Sequence, residues 1–465
     1  MKPTDVRIIE VVPRFSLEVP RAPLKFGAVV MKETTYCHTR VKVENRKGET
    51  AWGDGGMFLS AVWAFPDPDV ELGLKDKAMR AVVERFAKAV LNYGRFAHPI
   101  EIFMELEPEL RKIGDEVSEE FALPKKLPYL AVLVSASPID CAIHDAFGKV
   151  NRICTYDGYT EEFMNLDLSC WLGERYKGKH PGMYLRKTYL KSVPVFHLVG
   201  GLDKLTESEV DESDPQDGLP NSLEGWIKRD GLFCLKVKLK GNDLDWDLER
   251  FLAVYKIAHL ANRKARRFYF SLDTNEQCES PEYMIELLNK IKEREQRAFD
   301  ELLFIEQPTE RDLERHKFDM RKLANLKPVF IDESLTSLED FQRAMQYGWS
   351  GIAVKTCKCH SKALLFISKA REEGIPYVIP DLTNPAIALL HSAGFAGRTY
   401  PLKGLEANSC QYFPKTSVNE ARVHPGIFRR INGKLHLESL RGAGFGFRIE
   451  EIYEEMRIWE QKSTS

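Results

Sequence analysis

The chain has 465 residues, enough for two domains or for one barrel with a substantial cap. At 43% hydrophobic and 29% charged residues it has an ordinary globular balance, and a formal net charge of -2 argues against a nucleic-acid surface or a polybasic membrane anchor. The opening MKPTDVRIIEVVPRF places Lys2, Asp5, Arg7 and Glu10 where a signal peptide needs an unbroken apolar core, and no run suggests the roughly 20 apolar residues of a membrane span.

A cytoplasmic protein is therefore expected, with its nine scattered cysteines reduced. Residues from about Val6 to Trp52 alternate apolar and polar, with a turn at Asn45-Arg46-Lys47-Gly48, and predict an antiparallel meander. Helical spacing follows from about Lys75 to Tyr93 and from Ile100 to Ile113, and a small-residue helix suited to close packing from Leu130 to Lys149. Residues 151–191 are rich in Tyr, Gly and charge. SVPVFHLVGG then starts a series of short apolar runs, and the acidic stretch TESEVDESDPQDGLPNS reads as a solvated loop and a candidate lid.

Five of the following runs end in charged residues. Lys236-Val237-Lys238 closes LFCLKVK, Asp273-Thr274-Asn275 follows RFYFSL, and Glu306-Gln307-Pro308 follows ELLFI. Asp332-Glu333-Ser334 follows KPVFI, and Lys355 follows GIAV. Successive patches lie roughly 25 to 35 residues apart, the length of one strand-helix unit in a βα barrel, whose strands all point one way. The spacing thus gathers three carboxylates and lysines from two separate strands on one rim. Three hard oxygen donors from adjacent strands suit a divalent cation with positions left open for substrate. IPYVIPD and LKGLEANSCQYF supply strands seven and eight, and INGKLHLES in the tail has a β pattern expected to rejoin the cap. Cys357-x-Cys359-His360 reads as a βα loop, since it lacks a second ligand pair for a soft metal.

The ordered set K-x-K, D-x-N, E-Q-P, D-E-S and V-K resembles the enolase superfamily, and within it the muconate lactonizing enzyme subgroup, related to the dipeptide epimerases. PLKFG, VKVENRKGETAWGDG and SASPIDCAIHDAFGK resemble that family's cap. The resemblance implies an α/β fold, a modified (β/α)7β TIM barrel with an α+β capping domain. The expected division is a cap over residues 1–191 with a family-atypical insertion near 151–191, a barrel over 192–417, and a segment 418–465 returning to the cap.

For the site, the resemblance implies Mg²⁺, with Mn²⁺ as a substitute, on Asp273, Glu306 and Asp332. It favours Asp332 over its neighbour Glu333, which alternation sends to the opposite face. Lys238 and Lys355 are expected on opposite sides of the reacting carbon, with Lys236 tuning and neighbouring positive charge lowering the lysine pKa. Asn275, Asp381, Thr383, Asn384, Glu406 and Asn408 are expected substrate contacts, and Glu406-Ala407-Asn408 stands where dipeptide epimerases carry Asp-x-Asp. Strand seven offers no histidine, and His391 reads as a packed or capping side chain. Cap segments Pro20 to Phe26 and Met57 to Phe65 are expected over the mouth, with Met57, Phe58, Trp63 and Phe65 lining it.

The expected activity is racemisation or epimerisation next to a carboxylate through an enediolate. Cycloisomerisation or dehydration, and a barrel without chemistry, are the alternatives. The expected partners are a small-molecule carboxylate and further copies of the chain, with no nucleic acid and no membrane.

Overall fold

The computed structural model describes residues 1–26 and 29–463. The chain opens with β1 (Val6–Glu18), a short pair β2 (Leu24–Phe26) and β3 (Val29–Met31), then β4 (Thr34–Asn45) and β5 (Thr50–Phe58). β1, β4 and β5 form the antiparallel meander that their alternation predicts, in that order. The β4–β5 turn is set by Asn45, whose side-chain oxygen accepts from the backbone N–H of Lys47 and Glu49, and by Gly48 at φ +80°.

Helices Leu72–Asn92 and Tyr129–Val150 pack on this sheet, and Pro99–Glu120 packs against both helices. Gly53 permits Tyr129–Val150 to lie directly against β5, because a Cβ there would come 2.2 Å from the Ala142 carbonyl oxygen. By length and apolarity Tyr129–Val150 is sufficient to cross a membrane, which corrects the sequence reading; its whole apolar window is buried inside the protein. It is a core helix whose hydrophobicity serves packing on both sides.

Eight parallel strands follow: β6 (Ser192–Val199), β7 (Cys234–Lys238), β8 (Tyr269–Asp273), β9 (Leu302–Glu306), β10 (Val329–Ile331), β11 (Gly351–Ala353), β12 (Tyr377–Val378) and β13 (Leu405–Glu406). Each pairs with the next through β12, β13 pairs with β6, and a bridge from Ile379 to Leu405 joins the two ends. β14 (Lys434–His436) lies antiparallel on β6, so INGKLHLES extends the barrel's first strand instead of rejoining the cap. The tail reaches the cap further on, where the hydroxyl of Tyr453 donates to Asp54 of β5 at 2.9 Å.

Period-two alternation explains why the charged patches end where they do. Phe196, Cys234, Phe304, Phe330, Ala353 and Val378 form one buried cluster inside the strand ring. Two residues further along their strands come Lys236, Glu306, Asp332 and Lys355, on the same inward face. The intervening Leu235, Ile305, Ile331 and Val354 belong to the large cluster under the surrounding helices. An apolar plug thus floors the barrel, and a charged layer stands directly on it.

Residues 151–191 form short helical turns, among them Thr155–Gly158 and Ser169–Leu172. They are anchored by Tyr156, Tyr159 and Tyr176, each fully buried. Tyr159 completes a chain of buried polar groups between cap and barrel. Ser361 Oγ donates to Asp140 at 2.8 Å, His144 Nε2 reaches Ser361 at 2.8 Å, and the Tyr159 hydroxyl reaches His144 Nδ1 at 2.8 Å. His360 Nε2 meets the same hydroxyl at 3.0 Å, and His391 Nε2 meets His360 Nδ1 at 2.9 Å. One assignment satisfies every link: each histidine neutral and donating from Nε2, His144 and His360 accepting at Nδ1, with the Asp140 carboxylate as terminal acceptor.

Candidate active site

Every sequence-predicted metal and lysine position arrives at the C-terminal rim. Asp273 and Glu306 are direct partners in the β8–β9 register, and Asp332 follows β10 immediately. Lys236 Nζ lies 2.9 Å from Asp273, 2.7 Å from Glu306 and 2.9 Å from Glu406. Lys238 pairs with Asp273 and donates to Asn275 Oδ1 at 2.7 Å. Lys355 lies 2.6 Å from Asp332.

All of these charged side chains are buried. The facing carboxylates hold Lys236 and Lys355 well above the usual lysine range against the opposing effect of burial. The cause is pairing: each of these two ammonium groups has a carboxylate partner at hydrogen-bond distance. Burial, reinforced by Asp273 and Asp332, pushes the Glu306 carboxyl up to about 8.

The neighbouring side chains sort into supports. Gln307, at φ +32°, accepts from the backbone N–H of Asp332 and Ser334 through Oε1 and donates to Ser334 Oγ through Nε2. It therefore ties the end of β9 to the end of β10. Glu333 accepts from the Trp63 indole N–H at 2.8 Å and from Asn275 at 3.3 Å, so it positions the cap against the rim. Lys358, which the sequence reading passed over, is a second buried cation on Asp332 at 3.2 Å. Its signal was the spacing Lys355-Thr356-Cys357-Lys358 directly after strand six.

The expected substrate contacts are largely engaged with one another. Asp381 accepts from the backbone N–H of Leu382, Asn384 and Asn408, at 2.8 to 2.9 Å. Asn408 donates to Glu406 at 2.6 Å, and Asn384 donates to Ser392 at 3.0 Å. Asp381, Thr383, Glu406 and Asn408 still line the mouth, together with Trp63, Lys236, Lys238, Asn275 and Lys355, around a cavity of about 10 Å³.

Of the expected aromatic lining, only Trp63 reaches this mouth; Lys355 Nζ sits 4.3 Å over its ring. Met57, Phe58 and Phe65 are buried in the cap core, because the apolar face of β5 and of the turn after it packs on helix Tyr129–Val150. Beyond Trp63 lies a cleft of about 650 Å³ between cap and barrel, lined by Phe65, Lys75, Glu276 and Arg311 among others. From the segment Pro20 to Phe26, Arg21 pairs with Asp217 at 2.6 Å and donates to Asn221 at 2.7 Å, pinning the acidic loop to the cap. The Lys25 and Phe26 side chains lie outside the described residues. In the Cys357–His360 stretch, Cys359 Sγ donates to the Leu133 carbonyl and His360 is held by Tyr159 and His391.

Compared with known proteins, residues 219–452, just over half of the chain, match the family described as enolase C-terminal domain-like. The chain belongs to the enolase superfamily. No curated protein sequence matches it. Among solved structures it resembles an Enterococcus faecalis dipeptide epimerase complexed with Mg and L-Leu-L-Tyr, at TM-score 0.59 and 16% identity over 95% of this chain and 99% of that one. A Pseudomonas fluorescens muconate lactonizing enzyme complexed with muconolactone gives TM-score 0.59 and 16% identity, over 97% and 99%. A Bacillus cereus N-succinyl Arg/Lys racemase gives TM-score 0.59 and 14% identity, over 96% and 97%. These likenesses establish the superfamily's fold, a barrel with an antiparallel cap.

The donor set bears on the metal of the superfamily. Asp273, Glu306 and Asp332 are three hard oxygen donors on adjacent strand ends, and Glu306 Oε2 is buried without a hydrogen-bond partner. Each carboxylate faces a lysine, and among the described residues no three His, Cys, Asp or Glu side chains converge as a ready metal cluster. By donor chemistry the set fits a small divalent cation.

Proposed function

We propose that the protein is a Mg²⁺-dependent racemase or epimerase acting on the carbon next to a substrate carboxylate. The observation that carries this reading is the placement of Lys238 and Lys355. They stand at the end of β7 and just after β11, four strands apart in an eight-stranded ring, and line the same cavity. Neutral Lys238 Nζ takes the α-proton, the C–H electron pair moves into the carboxylate to give a planar enediolate, and the Lys355 ammonium returns a proton to the other face. The reverse direction exchanges the roles. Lys355 can act as a base only while its carboxylate partner is otherwise engaged, because its ion pair with Asp332 favours the ammonium. Mg²⁺ on Asp273, Glu306 and Asp332, or Mn²⁺ in its place, would supply positive charge to the substrate carboxylate.

Lys236, bound by three carboxylates, serves as a fixed cation beside Lys238. Glu406 is already engaged by Lys236 and Asn408. Its engagement favours substrates without a free ammonium group, such as N-acyl amino acids, over dipeptides. The test is deuterium incorporation in D2O over a panel of dipeptides, N-acyl amino acids and hydroxy acids. Wild type should exchange both stereoisomers of its substrate; Lys238→Ala should exchange only one, and Lys355→Ala only the other.

The muconate lactonizing enzyme matches as well as the epimerase does, at the same TM-score, and this favours a second reading. If one lysine accounts for all exchange and the product is cyclised or dehydrated, the protein is a cycloisomerase or lyase built on the same enediolate.

A further inference from the structure

The opposite end of the barrel carries a second cavity that the proposed chemistry does not use. It holds about 910 Å³ and is formed by segments 227–233, 260–269, 403 and 429–432, next to the strand starts Cys234, Tyr269 and Leu405. Its wall contains nine Lys and Arg residues and a single acid, Asp230. That imbalance is local, since the whole chain carries a formal charge of -2.

The one acid is fully engaged. Asp230 takes Arg229 at 2.8 Å on one oxygen and Arg430 at 2.7 Å on the other. Among the described residues Arg263, Lys264, Arg266, Lys403 and Arg429 have no ion pair at all. Lys403 Nζ instead rests 3.6 Å from the centre of the Tyr269 ring. Arg430 lines the cavity although it is 97% buried, at 3% relative exposure, and its Nη2 has no hydrogen-bond partner. A buried guanidinium nitrogen left without an acceptor is costly, and an anion is the partner that would satisfy it.

Cations scattered on a surface are commonly solvated and need no ligand. Here four segments distant in sequence deliver them to one concavity, and Phe233 adds an apolar face. Guanidinium groups match phosphate oxygens two at a time, and a volume of this size suits a compact molecule better than a polymer track. We propose that this cavity binds a small anion carrying two or three linked phosphates. A nucleoside di- or triphosphate and an inorganic polyphosphate share that chemistry.

The test titrates the full-length, Mg²⁺-saturated protein with ATP, inorganic triphosphate and a single-stranded RNA oligonucleotide, each at two salt concentrations. ATP and triphosphate should bind, more weakly at the higher salt. The triple variant Arg263→Glu, Arg266→Glu, Lys403→Glu should weaken both by at least about tenfold while active-site turnover stays unchanged. Equal binding of the two anions assigns recognition to the phosphate chain. Tighter ATP binding that Phe233→Leu brings down to the triphosphate level assigns it to a nucleotide. Should the triple variant not fold, Arg263→Glu alone must still weaken triphosphate binding. The proposal is overturned if wild type binds neither anion, if the variants bind them unchanged, or if only the RNA binds.

Discussion

Two buried polar networks, one at the barrel mouth and one between cap and barrel, are built on opposite electrostatic terms. At the mouth Lys236, Lys238, Lys355, Asp273, Glu306 and Asp332 are all ionisable groups in direct contact. Below the cap, Asp140, Ser361, His144, Tyr159, His360 and His391 form a chain whose histidines are neutral, burial holding each of them well down. A neutral hydrogen-bonded chain fixes geometry at little cost once every partner is present. Buried ion pairs carry a desolvation penalty that well-packed apolar residues would avoid. The chain therefore reads as structure, and the mouth as charge retained for chemistry.

The sharpest way to break this contrast is to exchange the two phenotypes. Lys355→Met should lower α-proton exchange from the one stereoisomer that Lys355 serves at least about 100-fold, while Asp332 keeps Lys358 as a partner and thermal stability changes little. Tyr159→Phe should do the reverse. It leaves His144 Nδ1 and the His360 N–H without a partner, at about 1–3 kcal/mol each, and should lower the melting temperature while exchange persists. If Tyr159→Phe abolishes exchange at unchanged stability, the assignment of the chain to structure fails.

A finer test uses pH. His391 is held down to about 3 in the fold, below its unfolded value near 6.5. The unfolded state therefore binds the extra proton between those values, and His391 contributes stability that is present above about pH 6.5 and lost as pH falls towards 3. His391→Gln keeps a donor for His360 and removes that titration. Its unfolding free energy should depend on pH less steeply than wild type between pH 6 and 4, by up to about 1.4 kcal/mol per unit. Equal slopes would mean that His391 is not a buried neutral histidine.

The smallest effect expected is at the junction of the two regions. Trp63→Phe removes one N–H to Glu333, worth about 1 kcal/mol, and should shift substrate preference through the mouth it lines. Unchanged preference with reduced stability would assign Trp63 to the cap core beside Phe65.

The mouth was legible in the sequence because the βα period brings Lys236, Asp273, Glu306, Asp332 and Lys355 to one rim, while the choice of Asp332 over Glu333 rested on the family's D-E-S pattern. The neutral chain was not. His391 was readable as a packed side chain, but Tyr159 lies in a segment without periodicity, and its partners are 15 and 201 residues away. Helix Tyr129–Val150 was placed to within a residue, yet its full burial depends on Gly53, a contact that no local pattern announces. The cap aromatics misled for a related reason: Phe58 and Trp63 look alike in the sequence, and only the turn between them sends one inward to Phe413 and the other to Glu333.

The central claim, that the mouth keeps its charges to hold a divalent metal, is tested most directly by Mn²⁺ titration followed by electron paramagnetic resonance. Wild type should show about one tight site per chain, at least about tenfold weaker in Glu306→Gln and in Asp332→Asn, and little changed in Glu333→Gln. Wild-type Mn²⁺ affinity in Glu306→Gln and Asp332→Asn would contradict it.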